Sequence, residues 1–384
     1  MTELPNDTLV KKNKSWLRLL KYAVFAFSAV LFLYSLIIYA YASVNTDFAE
    51  MYTVTVSAFL RALLAKLTFI FPFSLAETIA VILIPLIIIL LIRAIVLRYC
   101  YKEKGRILSL FFKLLCLVMT AATVFINTFA VCYKREELSA FLDIDTDSIS
   151  KDDVVMTAYL CCTAASECVN DIDFRPDGSS IMPYDFDEMT RLIHESYKKI
   201  LTEVPEKLSV KPVALSEVWT YTFVSGMYFP FTGESNVNVN FPDFVMAFTA
   251  AHEMAHQLGF AGEDEANMMA FLALYYSEDR YLQYSACMNG IDYLLPELDA
   301  GTARLLGQIS HRCVLSEFSS YSAFLSKYRG RVSDISSEIN DAYLKANGVE
   351  NGEKSYNDVT KLICGFMKKV YGVYYEQNVI DVTE

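Results

Sequence analysis

The sequence predicts a chain in two parts: a membrane α-helical region of three spans in residues 1–135, then a mainly helical α+β domain over residues 136–384. Three observations predict it. Apolar residues make up 54% of the chain, too many for an ordinary soluble globule, and the excess is concentrated in the first third. Charge divides at the same place: residues 1–135 hold 15 basic and 6 acidic side chains, whereas residues 136–384 hold 18 and 39, and the two nets of +9 and −21 add to the chain's −12. The second part then reads mainly as helical periodicity with a few short strand-like runs between.

The three spans are runs long and apolar enough to cross a hydrocarbon core: Tyr22 to Ala42, Phe73 to Ile92 and Leu110 to Val131. Glu77 and Pro85 fall in the second, and a transmembrane helix can re-satisfy the carbonyl that a proline frees. The first run is long and lacks a small-residue cleavage site, so it reads as a span rather than a cleavable signal peptide. Basic residues set the orientation. Lys11, Lys12, Lys14, Arg18 and Lys21 precede the first span, and Arg93, Arg98, Lys102, Lys104, Arg106 and Lys113 cluster between the second and third. The positive-inside rule then places the N-terminus in the cytoplasm and the acidic domain on the extracytoplasmic face. Between the first two spans, Phe59, Leu60, Leu63, Leu64 and Leu67 recur at helical spacing, which fits an interfacial helix and packing against the spans equally well.

In the acidic part, Ser150-Lys-Asp-Asp153 is a capping-box start for a helix towards Val169. Met189, Leu192, Ile193, Tyr197 and Ile200 mark a second amphipathic helix. Val213 to Phe223 and Ser235 to Val239 read as strands, joined by a loop holding Gly226, Pro230 and Gly233. The alternation Asn236-Val-Asn-Val-Asn240 suggests a half-exposed strand, and from Asp243 onward the pattern is mostly helical. Nine cysteines without CxxC spacing read as buried free thiols. A net of −21 excludes nucleic acid as a partner, because phosphates would be repelled.

The chain has four histidines, and two of them fall in His252-Glu253-Met-Ala-His256. A chance His-Glu-x-x-His in a chain this poor in histidine is expected on the order of once in several hundred sequences. On a helix, residues i and i+4 share a face, so both imidazoles can reach one metal ion, and Glu253 sits beside it as a general base rather than a ligand. A catalytic zinc site takes a third protein ligand and keeps a fourth position open. Gly259 and Gly262 mark a helix end and a turn, and Glu263-Asp264-Glu265-Ala266-Asn267 follows. Glu263 is the first choice for the third ligand, Glu265 the alternate and Asp264 the last; three acids in a helix's first turn are also what the helix dipole favours by itself.

The segments Gly226-Met-Tyr-Phe-Pro-Phe-Thr-Gly-Glu234, Ala251 to Asn267 and Asn340-Asp-Ala-Tyr-Leu-Lys-Ala-Asn347, with Ser355-Tyr356 after them, resemble an uncharacterised bacterial domain-of-unknown-function family of membrane-anchored His-Glu-x-x-His proteins. The resemblance includes the N-terminal spans and so covers most of the chain. It implies a zincin-like metallopeptidase domain. Glu263-x-x-Ala266-Asn267 is also similar to the Glu-x-x-Ala-Asp/Asn element of HtpX-like and ImmA-like gluzincins, where the glutamate binds zinc, although only seven positions separate His256 from Glu263 here.

The expectation is therefore a membrane-anchored zinc peptidase acting on a peptide or protein at the extracytoplasmic face, with the lipid bilayer as its other partner. Ser235 to Asn240 would serve as the edge strand that pairs with substrate. Tyr284, Tyr356 and His311 are the candidate oxyanion donors, and His194 reads as structural. Two rivals stand beside it: a degenerate scaffold that binds a peptide or partner at the membrane, against which the intact motif argues, and a membrane sensor, for which the cytoplasmic loops offer no receiving domain.

Overall fold

A computed structural model describes residues 5–99, 104–346 and 356–382. Its N-terminal part is helical: α1 (Pro5–Ala42), α2 (Thr46–Tyr52), α3 (Ala58–Thr68), α4 (Leu75–Tyr99) and α5 (Lys104–Thr128). A single π-helical turn, Thr53–Ser57, joins α2 to α3 without a break. Among the described residues, four helical runs are long and apolar enough to cross a membrane: Leu19–Ala42, Thr46–Thr68, Leu75–Val96 and Leu108–Thr128. That is one more than the three expected from sequence, because the stretch marked by Phe59 to Leu67 is part of a longer helical run, Thr46–Thr68. The helix starts earlier, where the Asn45 side chain caps it by accepting from the Phe48 amide at 2.9 Å. The third apolar run stops being α-helix at Thr128, and Phe129, Ala130 and Val131 are buried in a 3₁₀ turn under the domain. Large apolar side chains along α4, such as Ile82, Ile84, Ile88 and Ile89, are exposed, a surface compatible with membrane association.

The run Thr46–Thr68 touches the rest of the chain at both ends and in the middle. Glu50 pairs with Arg135 at 2.7 Å, Tyr52 donates to the Asn127 side chain at 2.5 Å, and Ser57 donates to the Asn127 carbonyl at 2.6 Å. At the far end the Thr68 hydroxyl donates to Ser209 at 3.1 Å. The first turn of α4 is held from the other part of the chain too. Buried Glu234 accepts from the amides of Leu75 at 3.2 Å and Ala76 at 2.9 Å, a carboxylate set against a helix N-terminus. The C-terminal end of α1, the N-terminal end of α4 and the C-terminal end of α5 therefore all lie on the side of the chain that carries the domain.

The domain opens with α6 (Leu138–Phe141) and α7 (Lys151–Cys168), followed by the hairpin β1 (Asp173–Phe174) and β2 (Ser180–Ile181) and then α8 (Phe186–Ile200). A three-stranded sheet is built from β3 (Val210–Pro212), β4 (Gly226–Phe229) and β5 (Glu234–Val237), with the short α9 (Ser216–Thr220) between the first two. The remainder is helical: α10 (Asp243–Leu258), α11 (Glu263–Tyr275), α12 (Arg280–Leu294), α13 (Ala300–Ile309), α14 (Arg312–Tyr328), α15 (Arg331–Ala346) and α16 (Tyr356–Val382). The expected capping box at α7 is present, with Ser150 and Asp153 exchanging hydrogen bonds. The buried α10 packs on α11, α12 and the sheet, while α7 packs on α12 and α16.

Two strand expectations are corrected. Val213 to Phe223 holds no strand: β3 ends at Pro212, and Glu77 accepts from the amides of Ala214 and Leu215 where the chain turns into α9. Nor is β5 an edge: the sheet order is β3-β5-β4, with β3 parallel and β4 antiparallel to it, and all four β5 residues are buried. Asn236 and Asn238, two of the alternating asparagines that suggested a solvent face, are buried as well. Asn236 donates to the carbonyls of Met227 and Glu234, and Asn238 to Thr220 and the Val224 carbonyl, so inward loops rather than water satisfy them.

Candidate metal centre

The helix that carries the motif ends where its sequence says it should. Gly259 takes the left-handed conformation at φ 105°, and its amide bonds back to the carbonyls of Ala255 and His256. Glycine is required there twice over, since a Cβ would also meet the Arg61 guanidinium at 2.5 Å. The chain then reverses, and α11 starts at Glu263 with three acids in its first turn. That reversal lays the first turn of α11 against the His252–His256 face of α10.

The result is one cluster of donors. His252 Nε2 lies 3.2 Å from Glu263 Oε2 and His256 Nε2 lies 3.6 Å from Glu263 Oε1. The three ligand atoms fall within 4.8 Å of one another. Tetrahedral zinc bonded at about 2.0–2.2 Å sets its ligand atoms about 3.3–3.6 Å apart, so these separations fit such an ion. The far ring nitrogens are already engaged. His256 Nδ1 donates to the Phe260 carbonyl at 2.7 Å, and His252 Nδ1 faces the Asn267 side-chain oxygen at 2.7 Å. These partners fix both tautomers so that each Nε2 presents its lone pair to the shared point. Access is one-sided: the Glu263 side chain is 35% exposed, and that of His256 only 6%.

Without an ion, the acid and the imidazoles pair with each other. Burial would raise the Glu263 carboxyl, but the facing imidazoles hold it far below the usual carboxylate range. Burial would lower His256, yet Glu263 and Glu253 push it up to about 9. A cation bound at that point would take the place of those protons. Glu253 behaves differently. It is buried, its carboxyl is raised chiefly by loss of solvent, and its Oε2 has no hydrogen-bond partner among the described residues. The imidazoles of His252 and His256 and, after them, the Tyr228 amide on β4 oppose that rise. Gly226 permits this approach, since a Cβ there would come within 2.6 Å of Glu253 Oε1.

Of the acids weighed from sequence, only Glu263 faces both histidines. Glu265 turns away, accepts from the Leu138 amide at 3.1 Å, and is raised to about 7 by burial and by Asp264. The candidate oxyanion donors do not join the cluster. Tyr284 is fully buried and donates to Glu317 at 3.1 Å, while His311 caps α14 by accepting from the Cys313 amide at 3.2 Å. The side chain of Tyr356 lies outside the described residues. His194, read as structural, has its Nε2 2.8 Å from the Pro205 carbonyl.

Sequence reasoning missed three contributors. Tyr228 and Gly226 sat in what read as a loop; the signal was a glycine beside an apolar run. Arg61 is the basic residue among Phe59, Leu60, Leu63 and Leu64 in the stretch between the first two expected spans. It is buried and donates to the carbonyls of Gln257 at 3.0 Å and Leu258 at 3.2 Å, at the end of α10, and to Thr128 at 3.1 Å, at the end of α5. A cavity of about 510 Å³ lies beside that arginine, lined by Ala58, Ala62, Pro205, Leu208 and Gln257, behind the metal helix rather than at the histidines.

Comparison with known proteins adds one finding. The model of a family described as "Protein of unknown function (DUF3810)" matches residues 52–364, a span that includes the helices α3 to α5 and the domain as far as the first part of α16. No curated protein and no solved structure matches the chain.

Proposed function

The chain belongs to the DUF3810 family, and from that premise we propose that it is a membrane-anchored, zinc-dependent metallopeptidase of zincin type that hydrolyses peptide bonds at the extracytoplasmic face. One observation carries the reading: two imidazoles and a carboxylate converge on a point beside a buried carboxylate that has an oxygen to spare. His252, His256 and Glu263 would hold the ion, with Asn267 and the Phe260 carbonyl orienting the rings. Zinc there would supply Lewis acidity, acidifying a water molecule and polarising a peptide carbonyl. Glu253 takes the water's proton on Oε2 and passes it to the leaving nitrogen. The raised affinity of its carboxyl for a proton, due chiefly to burial, suits both halves of that transfer. The Tyr228 amide keeps the carboxylate aimed.

For the membrane part, the reading is three spans, α1, α4 and α5, with Thr46–Thr68 lying in the interface. Support comes from the ends of that segment, both of which bond to residues at the domain side. A helix that crossed the bilayer would carry one end to the other face. An odd number of spans then sets the N-terminus opposite the domain, in line with the basic residues of the N-terminal segment and of the connection between α4 and α5.

The rival reading is a scaffold that binds zinc and a peptide without hydrolysis, and the engagement of Tyr284 and His311 elsewhere favours it. Glu253→Gln in the full chain separates the two. Zinc content should stay at one per chain while cleavage of a peptide library falls about 10²–10⁴-fold. Wild type that holds zinc and cuts nothing would establish the scaffold; a Gln variant that cuts like wild type would remove Glu253 from the mechanism.

A further inference from the structure

Resting on the peptidase reading above, the geometry points to the substrate class: a protein anchored in the same bilayer, cut in the extended stalk just outside its own membrane segment. Among the described residues, β4 is an outer strand with no strand on its far side. The Ser225 carbonyl accepts from the Asn238 amide at 2.8 Å, so Ser225 and Met227 turn their peptide groups inward. Antiparallel alternation then turns those of Gly226 and Tyr228 outward. A Cβ on Gly226, the first residue of β4, would come within 2.6 Å of Glu253 Oε1. One end of the open edge is therefore at the general base.

The other end is at the apolar helices. Phe229 packs on Phe231 with ring centroids 4.9 Å apart, and Phe231 stacks on Phe125 at 6.4 Å, three residues before α5 ends. The turn that follows sits directly on α3, where a Cβ on Gly233 would meet Leu64 Cβ at 2.8 Å. Four strand residues cover only about 13 Å, so the base and the end of the apolar helix are one short strand apart. The metal ligand makes the same point independently: the His256 ring packs edge-on against Phe129, the residue after Thr128, at 5.7 Å. A strand added along β4 has one end at Glu253 and the other beside Phe231, which is 38% exposed and apolar, as is Met227. A chain leaving the bilayer next to Phe231 is already extended along that edge. Anchoring it in the same membrane raises its effective concentration without any new contact.

The test uses the full chain with zinc in lipid vesicles. A randomised stalk is attached to a single-span anchor in the same vesicles, and the identical stalk is also supplied free in solution. Anchored stalks should be cut at least tenfold faster, with cuts confined to about the first eight residues outside the bilayer. A second readout does not use turnover: a fluorophore on Phe231→Cys should be quenched by brominated lipids, and one on Leu305→Cys, on α13, should not. Equal rates for free and anchored stalks, or cuts spread along the stalk, would overturn the substrate class and leave the peptidase standing. No cleavage of either stalk by chain whose Phe231 label is quenched would overturn the peptidase reading and this inference with it. An unquenched Phe231 label would overturn the placement of the edge, whatever is cut.

Discussion

Glu263 reaches both histidines while Glu265, two residues on, reaches neither, and that difference is sharp enough to measure. Glu263→Gln keeps the volume but removes the anionic oxygen, so zinc affinity should fall steeply in a competition assay against a chelator. Glu265→Gln should leave zinc affinity within a factor of about two, because its carboxyl touches the Leu138 amide and not the ion. Asn267→Ala lies between them: His252 loses the partner that fixes its tautomer, and losing such a hydrogen bond behind a ligand costs about 10–100-fold in affinity. Retention of wild-type affinity by Glu263→Gln would move the third ligand elsewhere. The central residues were legible because the chemistry dictates residue types at a fixed helical spacing. Arg61 was not legible, since its partners are backbone carbonyls, which carry no signature in sequence, and two of them lie 196 and 197 positions away.

Among elements, α10 owes the position of its last turn to α3. Arg61 is buried with its guanidinium divided among the carbonyls that end α10 and α5, and a planar fork of five donors suits that task where a lysine does not. Arg61→Leu leaves those carbonyls unpaired, at about 1–3 kcal/mol each. Thermal unfolding in detergent should show a lower Tm, and zinc should restore less of it than in wild type, because His256 sits in the turn that is released. An unchanged Tm would make the arginine's contacts dispensable. The start of α7 offers a cleaner sign. Burial would raise the Asp153 carboxyl, but the Ser150 amide and hydroxyl and the Lys368 ammonium at 2.9 Å hold it below its ordinary value of 3.8. Its stabilisation is thus complete above the unfolded value and lost as pH falls through the lower folded one. Asp153→Ala should cost about 1 kcal/mol near pH 7, and denaturant titrations below pH 3 should show the gap to wild type closing; a gap independent of pH would mean the carboxylate's charge contributes nothing. Helices such as α7 and α10 were readable from caps and periodicity. The sheet was not, because buried asparagines bonded to loop carbonyls mimic the alternation of a strand that faces water.

At the scale of the whole molecule, the two parts are one packing unit on the side that matters. Phe129 and Cys132 from the end of the apolar region share a buried cluster with Tyr228 and Ala261 from the domain, and β4, His256 and the buried Arg61 all touch that seam. The apolar part was legible because lipid demands long uninterrupted runs; the seam was not, because neither side of it looks incomplete in sequence. The seam makes topology a functional matter, since the face on which the domain lies decides which stalks it can meet. On the proposed reading the basic residues place the N-terminus inside and three spans carry the domain outside, whereas a fourth span through Thr46–Thr68 would return it to the cytoplasm. Val332, exposed on α15, provides the probe. In chain whose partly exposed Cys313 is replaced by serine, Val332→Cys should react with a membrane-impermeant maleimide on intact cells as fully as after lysis. A cysteine added at Thr2 should react only after lysis. Labelling of Val332→Cys only after lysis would convert Thr46–Thr68 into a span and put the metal site among cytoplasmic substrates. Labelling of both positions on intact cells would leave an even number of spans with the opposite orientation, against the distribution of eleven basic residues in the N-terminal segment and between the second and third apolar runs.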